Sequence, residues 1–288
     1  MAVSIVEFPV GGPGAGPYGI TVAPDGAVWF TEVHHGRIGR LDPAGGHTAF
    51  ALPDPAGRPS VPVVGPDGAV WFTESAGHRI GRISADGAVT AHDVPDAGPF
   101  GLTAGPDGAL WCTAMNTGRV GRITTGGEVA WFDVPGGGFP AMIASGPDGA
   151  LWFALNQANA IGRVTTAGEV TTHPLPTAEA APVGITATSD ALWFVEIGAG
   201  QVGRITSDGR ITEFPLPDRA ARPHAIAAAP DGSCWFTEWA SGRVGRITPD
   251  GAVETHALPG AEPHGVAVGP DGVVWVALES GTIARLTP

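Results

Sequence analysis

Pro17-Tyr-Gly-Ile-Thr-Val-Ala-Pro-Asp-Gly-Ala-Val-Trp-Phe-Thr-Glu32, followed by Gly36-Arg-Ile-Gly-Arg40, is a phrase that this 288-residue chain repeats seven times. Its tryptophan returns as Trp29, Trp71, Trp111, Trp152, Trp193, Trp235 and Trp275, at spacings of 42, 40, 41, 41, 42 and 40 residues. Self-similarity at a fixed period of this length marks a repeat architecture. Within a copy, short β-rich runs alternate with turn residues, and no window carries an amphipathic helical period. The first copy divides into strands over 19–23, 28–32, 37–41 and 47–52, with a Pro-Asp-Gly turn after the first. Four short strands per unit of about 40 residues is the pattern of a β-propeller blade. The sequence therefore predicts an all-β fold: a seven-bladed β-propeller with four antiparallel strands per blade, forming a single domain over 1–288.

The two ends fit ring closure. The last copy stops after its third strand, while Ser4-Ile-Val-Glu-Phe8 precedes the first copy and resembles a fourth strand. That N-terminal strand is expected to complete the last blade and remove an open sheet edge.

Composition narrows the function. Net charge is −13 and all fifteen basic residues are arginine. An acidic chain of this kind lacks the positive face that nucleic acid or an anionic membrane requires. Cys112 and Cys234 fall in different repeats, so both are expected to be free, in a reducing compartment. The N-terminus has neither the basic nor the long apolar region of a signal peptide, and no apolar run approaches the ~20 residues of a membrane span. A soluble, cytoplasmic monomer acting on a small molecule is the expectation.

Positions shared by every copy read as structural. An Asp (25, 67, 107, 148, 190, 231, 271) and an Arg (40, 82, 122, 163, 204, 246, 285) occur in all seven, and are expected to pair within each blade. The copies disagree at the residue after the leading proline, which is Tyr18, Ser60, Phe100, Ala141, Val183, His224 and His264. These side chains should ring the mouth of the central channel. Two neighbouring blades supply histidine, and the next blade round supplies tyrosine. Acids share that face. Glu32, Glu74, Glu196 and Glu238 follow Trp-Phe-x and read as polar strand ends, whereas the last copy, Trp275-Val-Ala-Leu-Glu279, carries its glutamate one residue later. A slip of one inverts a side chain's direction in a strand. Glu262, two residues before His264, points into the same corner. Two carboxylates and two imidazoles are thus expected to converge, with no lysine or arginine among them. An oxygen-rich group of this kind suits a hard cation such as Mg²⁺. A neutral imidazole beside it could remove a proton next to a carbonyl, with the metal polarising that carbonyl.

The residues Gly16-Pro-Tyr-Gly-Ile-Thr21, Gly184-Ile-Thr186, Asp190-Ala-Leu-Trp-Phe-Val-Glu-Ile197, Arg222-Pro-His-Ala-Ile226, Trp235-Phe-Thr-Glu-Trp239, Ala261-Glu-Pro-His-Gly265 and Ala277-Leu-Glu279 resemble the virginiamycin B (streptogramin B) lyase family over essentially the whole chain. The resemblance implies a lyase that linearises streptogramin B-type cyclic depsipeptide antibiotics by elimination at the threonyl ester, conferring resistance. Carried over residue by residue, it implies His264 as general base, Glu262 and Glu279 as Mg²⁺ ligands and His224 as a substrate contact. It also places Tyr18 and Trp239 in the pocket. The last copy departs from the repeat in Ser280-Gly281 and Thr282-Ile-Ala-Arg285, which bears on how Glu279 is presented. Two other readings stay open at this point: a metal-dependent lactonase or esterase acting on another cyclic ester, and a non-catalytic propeller that binds a partner.

Overall fold

The computed structural model describes residues 3–12 and 14–287. Those residues form seven four-stranded antiparallel sheets in a ring, with each sheet's strands neighbouring in chain order except in the last. Blade 1 runs Pro17–Val22, Val28–Glu32, Arg37–Leu41 and His47–Ala51. Blade 7 runs Pro263–Val268, Val274–Leu278 and Thr282–Thr287, and Ser4–Pro9 closes it by pairing Ser4 with Thr287 through to Pro9 with Thr282. The expected closure is present, and it leaves blade 7 no unpaired outer edge.

The core is one motif used seven times. Each repeat tryptophan lies against an aromatic ring of its blade's fourth strand, from Trp29–Phe50 at 5.7 Å between ring centroids to Trp275–Phe8 at 5.9 Å. Trp71, Trp111 and Trp152 are wholly buried, and truncating such a side chain to alanine costs about 3–5 kcal/mol. The third-strand glycine makes room for the phenylalanine after the tryptophan. A Cβ on Gly39 would lie 2.2 Å from the Phe30 ring. Blade 7 keeps the volume by a double exchange, pairing Val276 with Ala284.

The shared Asp and Arg pair as expected in six blades, for example Arg122 Nε to Asp107 Oδ2 at 2.6 Å. In blade 7 Arg285 lies instead over the rings of Trp275 and Phe8. Cys112 and Cys234 are free and buried. No helix is long and apolar enough to cross a membrane.

One detail of the first strands differs from expectation and positions the site. They begin two residues earlier than the sequence suggested, at the leading proline itself. In blade 1, Pro17 pairs with Glu32 and Ile20 with Phe30, so Tyr18 and Gly19 together oppose Thr31. The same bulge occurs in all seven blades. A bulge bends its strand and re-aims the side chain carried there. The re-aimed residue is the one at which the copies disagree.

Candidate active site

Three side-chain rings are stacked on the bulged face. The post-proline residues form the innermost. The residues before the proline, Gly16, Arg58, Gly98, Phe139, Ala181, Arg222 and Glu262, all adopt left-handed backbone with φ between 50° and 64°. In six blades a third set, Val33, Ser75, Met115, Asn156, Trp239 and Glu279, donates its backbone N–H to the pre-proline carbonyl of the same blade. Glu279 therefore sits just outside its strand and in register with Trp239. Leu278 takes the buried place that glutamate fills in other blades, through its pairing with Pro263.

Threonine in Trp-Phe-Thr latches the inner ring from one blade to the next. Thr237 Oγ1 accepts from Ala225 N at 3.0 Å and donates to the His264 carbonyl at 2.8 Å. The equivalent donors in blades 1, 2 and 3 fix Ser60, Phe100 and Ala141. Blade 5 has Val195 at this place, so the carbonyl of His224 has no such donor. The two histidines look alike in sequence, but only His264 is anchored.

His264 is almost fully buried, and its Nε2 lies 2.5 Å from Glu279 Oε2. The other oxygen of that carboxylate, Oε1, lies 2.8 Å from His34 Nε2. Glu279 is thus held between two imidazoles. The Tyr18 ring packs on His264 at 4.5 Å between centroids, and His224 meets His264 edge-on at 5.0 Å. Tyr18 Oη is 3.4 Å from His224 Nε2, a long contact. Tyr18, His34, Arg58, Phe100, Asn116, His264 and Glu279 line a cavity of about 440 Å³. His224 opens instead onto a narrower void of about 70 Å³ on the propeller axis, with Tyr18, Phe100 and Met142.

Burial sets the protonation states. It lowers His264 below the ordinary imidazole value, against the pull of Glu279 and the weaker pull of Glu262. It lowers His224 to about 4, with the neighbouring His264 adding to the fall. Both rings are neutral at pH 7. Burial tends to raise Glu279, but hydrogen bonds from His34 and His264 outweigh it and hold the carboxyl below its usual range. Burial and the Glu279 charge push the Tyr18 phenol upward, so it stays a neutral hydrogen-bond donor.

Several placements correct the sequence expectation. Glu32, Glu74, Glu196 and Glu238 are strand ends but are buried within the blades and lie outside the site. Arg79 holds Glu74 at 2.7 Å and Arg37 holds Glu32 at 2.8 Å. An arginine does line the cavity, namely Arg58. Glu262 is exposed and adjoins Glu279 through the backbone bond, without a side-chain partner among the described residues. Trp239 is half-buried under Arg222, 6.0 Å from the ring centroid, and does not line the cavity. His34 carries no signal in the sequence. Its partner is 245 residues away, and only the ring closure brings them together.

The sequence leads one to expect a cation on Glu262 and Glu279. Among the described residues, no three His, Cys, Asp or Glu side chains form a metal-ligand cluster. The expected donor set is two carboxylates, Glu262 and Glu279, whose backbones are joined by the Glu279 N–H to Glu262 carbonyl bond. That still fits Mg²⁺, which keeps several waters and takes one or two protein carboxylates.

The family model described as the virginiamycin B lyase family matches residues 3–286. The chain belongs to the virginiamycin B lyase family. A crystal structure of virginiamycin B lyase from Staphylococcus aureus superposes with a TM-score of 0.96 at 41% identity, over 100% of both chains. A structure of a catalytically inactive histidine-to-alanine variant of the S. aureus enzyme with quinupristin matches equally, at 0.96 and 41% over 100% of both chains. Virginiamycin B lyase of Saccharopolyspora erythraea is 56% identical over 50 residues, a stretch that spans 17% of each protein. Within this family's fold, the His264–Glu279 pair stands in the blade that the two chain ends close together.

Proposed function

We propose that the protein is a C–O lyase that opens streptogramin B-type cyclic depsipeptides by elimination at the threonyl ester, with His264 as general base. The observation that carries this reading is a neutral, buried imidazole whose cavity-side nitrogen is paired with a carboxylate, in a family whose S. aureus member is inactivated by loss of a histidine. His264 Nδ1 is buried without a partner, so Nε2 is the nitrogen that can reach a substrate. In this arrangement Glu279 occupies Nε2. In the neutral ring Nε2 carries the proton that Glu279 accepts, so abstraction of the threonyl α-proton requires Glu279 to move off that nitrogen and the ring proton to pass to Nδ1, which frees the Nε2 lone pair; Glu262 is the carboxylate next to it. Glu262 and Glu279 would hold Mg²⁺, which when bound supplies Lewis-acid polarisation of the threonyl carbonyl. Tyr18 packs against the base and fixes its ring plane. His224, neutral and deeper on the axis, serves as a substrate contact. Trp239, in register with Glu279 one blade away and outside the cavity, would meet only the part of a large ring that extends beyond it.

Mass spectrometry of the product tests this. Elimination yields an open chain of the same mass as the substrate, whereas a gain of one water would establish ester hydrolysis and reject the lyase assignment. His264→Ala should remove nearly all turnover with unchanged circular dichroism. Chelation with EDTA should abolish activity and added Mg²⁺ should restore it. Activity indifferent to the chelator would remove the metal from the reading.

A further inference from the structure

The pre-proline ring is left-handed in every blade, whatever residue occupies it. Glycine adopts that conformation freely, and blades 1 and 3 use it as Gly16 and Gly98. A residue with a Cβ is less stable there by about 1 kcal/mol. Blade 2, between those two, nevertheless carries Arg58 at φ 54°. Its carbonyl accepts three bonds, from Ser75 N at 3.2 Å, Ser60 Oγ at 3.0 Å and Ser75 Oγ at 3.3 Å. Both serine hydroxyls facing the cavity are thus committed to holding the Arg58 backbone. The guanidinium itself is in no ion pair among the described residues, although most arginines of this chain pair with acids or lie over aromatic rings. It is the one arginine lining the 440 Å³ cavity.

The cavity is therefore polarised. Blade 7 contributes the base and its carboxylate, blade 1 contributes Tyr18 between, and blade 2 contributes a positive charge on an exposed side chain whose backbone is held in place. We infer that Arg58 binds the carboxylate that leaves when the ester opens. The inference rests on the lyase reading above. In that reaction the α-C–H bond breaks and its proton goes to His264. The electron pair left behind forms the Cα=Cβ double bond. The Cβ–O bond then breaks, and its pair stays on the former ester oxygen as a carboxylate. No oxidant, reductant or water is consumed. Negative charge grows at the end of the ester away from the base, where a planar guanidinium can take both oxygens of the product carboxylate at once. Stabilising charge that develops only in the transition state raises the rate of the chemical step more than it tightens substrate binding.

The test uses Arg58→Gly and Arg58→Lys in the full chain. Glycine is the residue of the neighbouring blades at this position, so the backbone is retained, and a thermal melt confirms folding. Single-turnover rates, KM, and inhibition by the ring-opened product and by its methyl ester are measured. Arg58→Gly should lower the single-turnover rate by about 10- to 100-fold with KM within about threefold. It should weaken inhibition by the product carboxylate about tenfold and leave the methyl ester unaffected, with Arg58→Lys between wild type and glycine. A single-turnover rate within about twofold of wild type, a loss confined to KM, or equal weakening of both inhibitors overturns the role. Wild-type protein that leaves the intact ring unchanged sinks the lyase reading and this inference with it. An active wild type with an unaffected Arg58→Gly sinks the inference alone.

Discussion

Replacing Glu196 by glutamine should stabilise the protein at alkaline pH and do little at pH 5. Glu196 ends the second strand of blade 5 and is wholly buried. Blades 1 and 2 place arginine opposite this glutamate, but blade 5 has Gln201, whose Nε2 donates to Glu196 Oε2 at 2.7 Å. Oε1 has no partner among the described residues. Burial therefore raises the carboxyl from 4.5 to about 7, with the Gln201 bond opposing the rise and the Glu213 charge adding to it. The folded state holds this proton more tightly than the unfolded chain does. Its contribution is complete below pH 4.5 and is lost as pH rises from there through 7. At 1.36 kcal/mol per pKa unit, the loss amounts to about 3 kcal/mol. Glutamine does not titrate, and its amide in place of Oε1 costs the same at every pH. The stability of Glu196→Gln relative to wild type should accordingly increase by about 2–3 kcal/mol between pH 5 and pH 8.5, read from urea midpoints at constant slope. A difference that stays the same at both pH values would refute the assignment of the strain to an ionised carboxylate.

Three further outcomes concern the site and a fourth concerns the blade core. Thr237→Val removes the donor to the His264 carbonyl, and should lower stability by about 1 kcal/mol in denaturant titration while reducing kcat by about tenfold with little change in KM. Because His264 must be neutral to accept a proton, kcat/KM should rise with pH along an acid limb centred below the ordinary imidazole value of 6.5. Glu279→Gln removes the interactions that raise His264, so whatever activity survives should show that limb at still lower pH; a limb moved upward would contradict the pairing. Gly39→Ala drives a methyl into the Phe30 ring and should destabilise blade 1 by more than about 2 kcal/mol in thermal or urea unfolding, without altering the site's chemistry.

The propeller was legible because a repeat shows its architecture seven times, and Trp29 to Trp275 keep one register. His224, His264 and Glu279 were legible for the opposite reason, as departures from that register. What stayed hidden depended on backbone detail that the pattern does not carry. The bulge after each leading proline cannot be seen in Pro17-Tyr-Gly-Ile, so the pattern alone starts the first strands two residues late and leaves Glu32 and its counterparts on the rim instead of inside the blades. Arg58 is not legible in the sequence because the residue before a proline shows no sign of left-handed backbone until the φ angles are known. His34 follows no repeat rule, and its bond to Glu279 joins the first blade to the last. The Thr237 latch was in plain view as part of Trp-Phe-Thr-Glu, but a hydroxyl shared by several copies reads as filler until its acceptor in the next blade is identified.

The split construction of blade 7 bears on how the molecule comes into being. His264 lies on the first strand, and Glu279 just past the second, of the blade whose outer strand, Ser4–Pro9, is supplied by the opposite end of the chain. His34, from blade 1, must also arrive before Glu279 is gripped on both sides. During synthesis blades 1 to 6 can form in succession from local hairpins, whereas blade 7 waits for the ring to shut, the contact with the largest loop-closure entropy in the fold. The grip on Glu279 from both sides is therefore completed only when the ring closes.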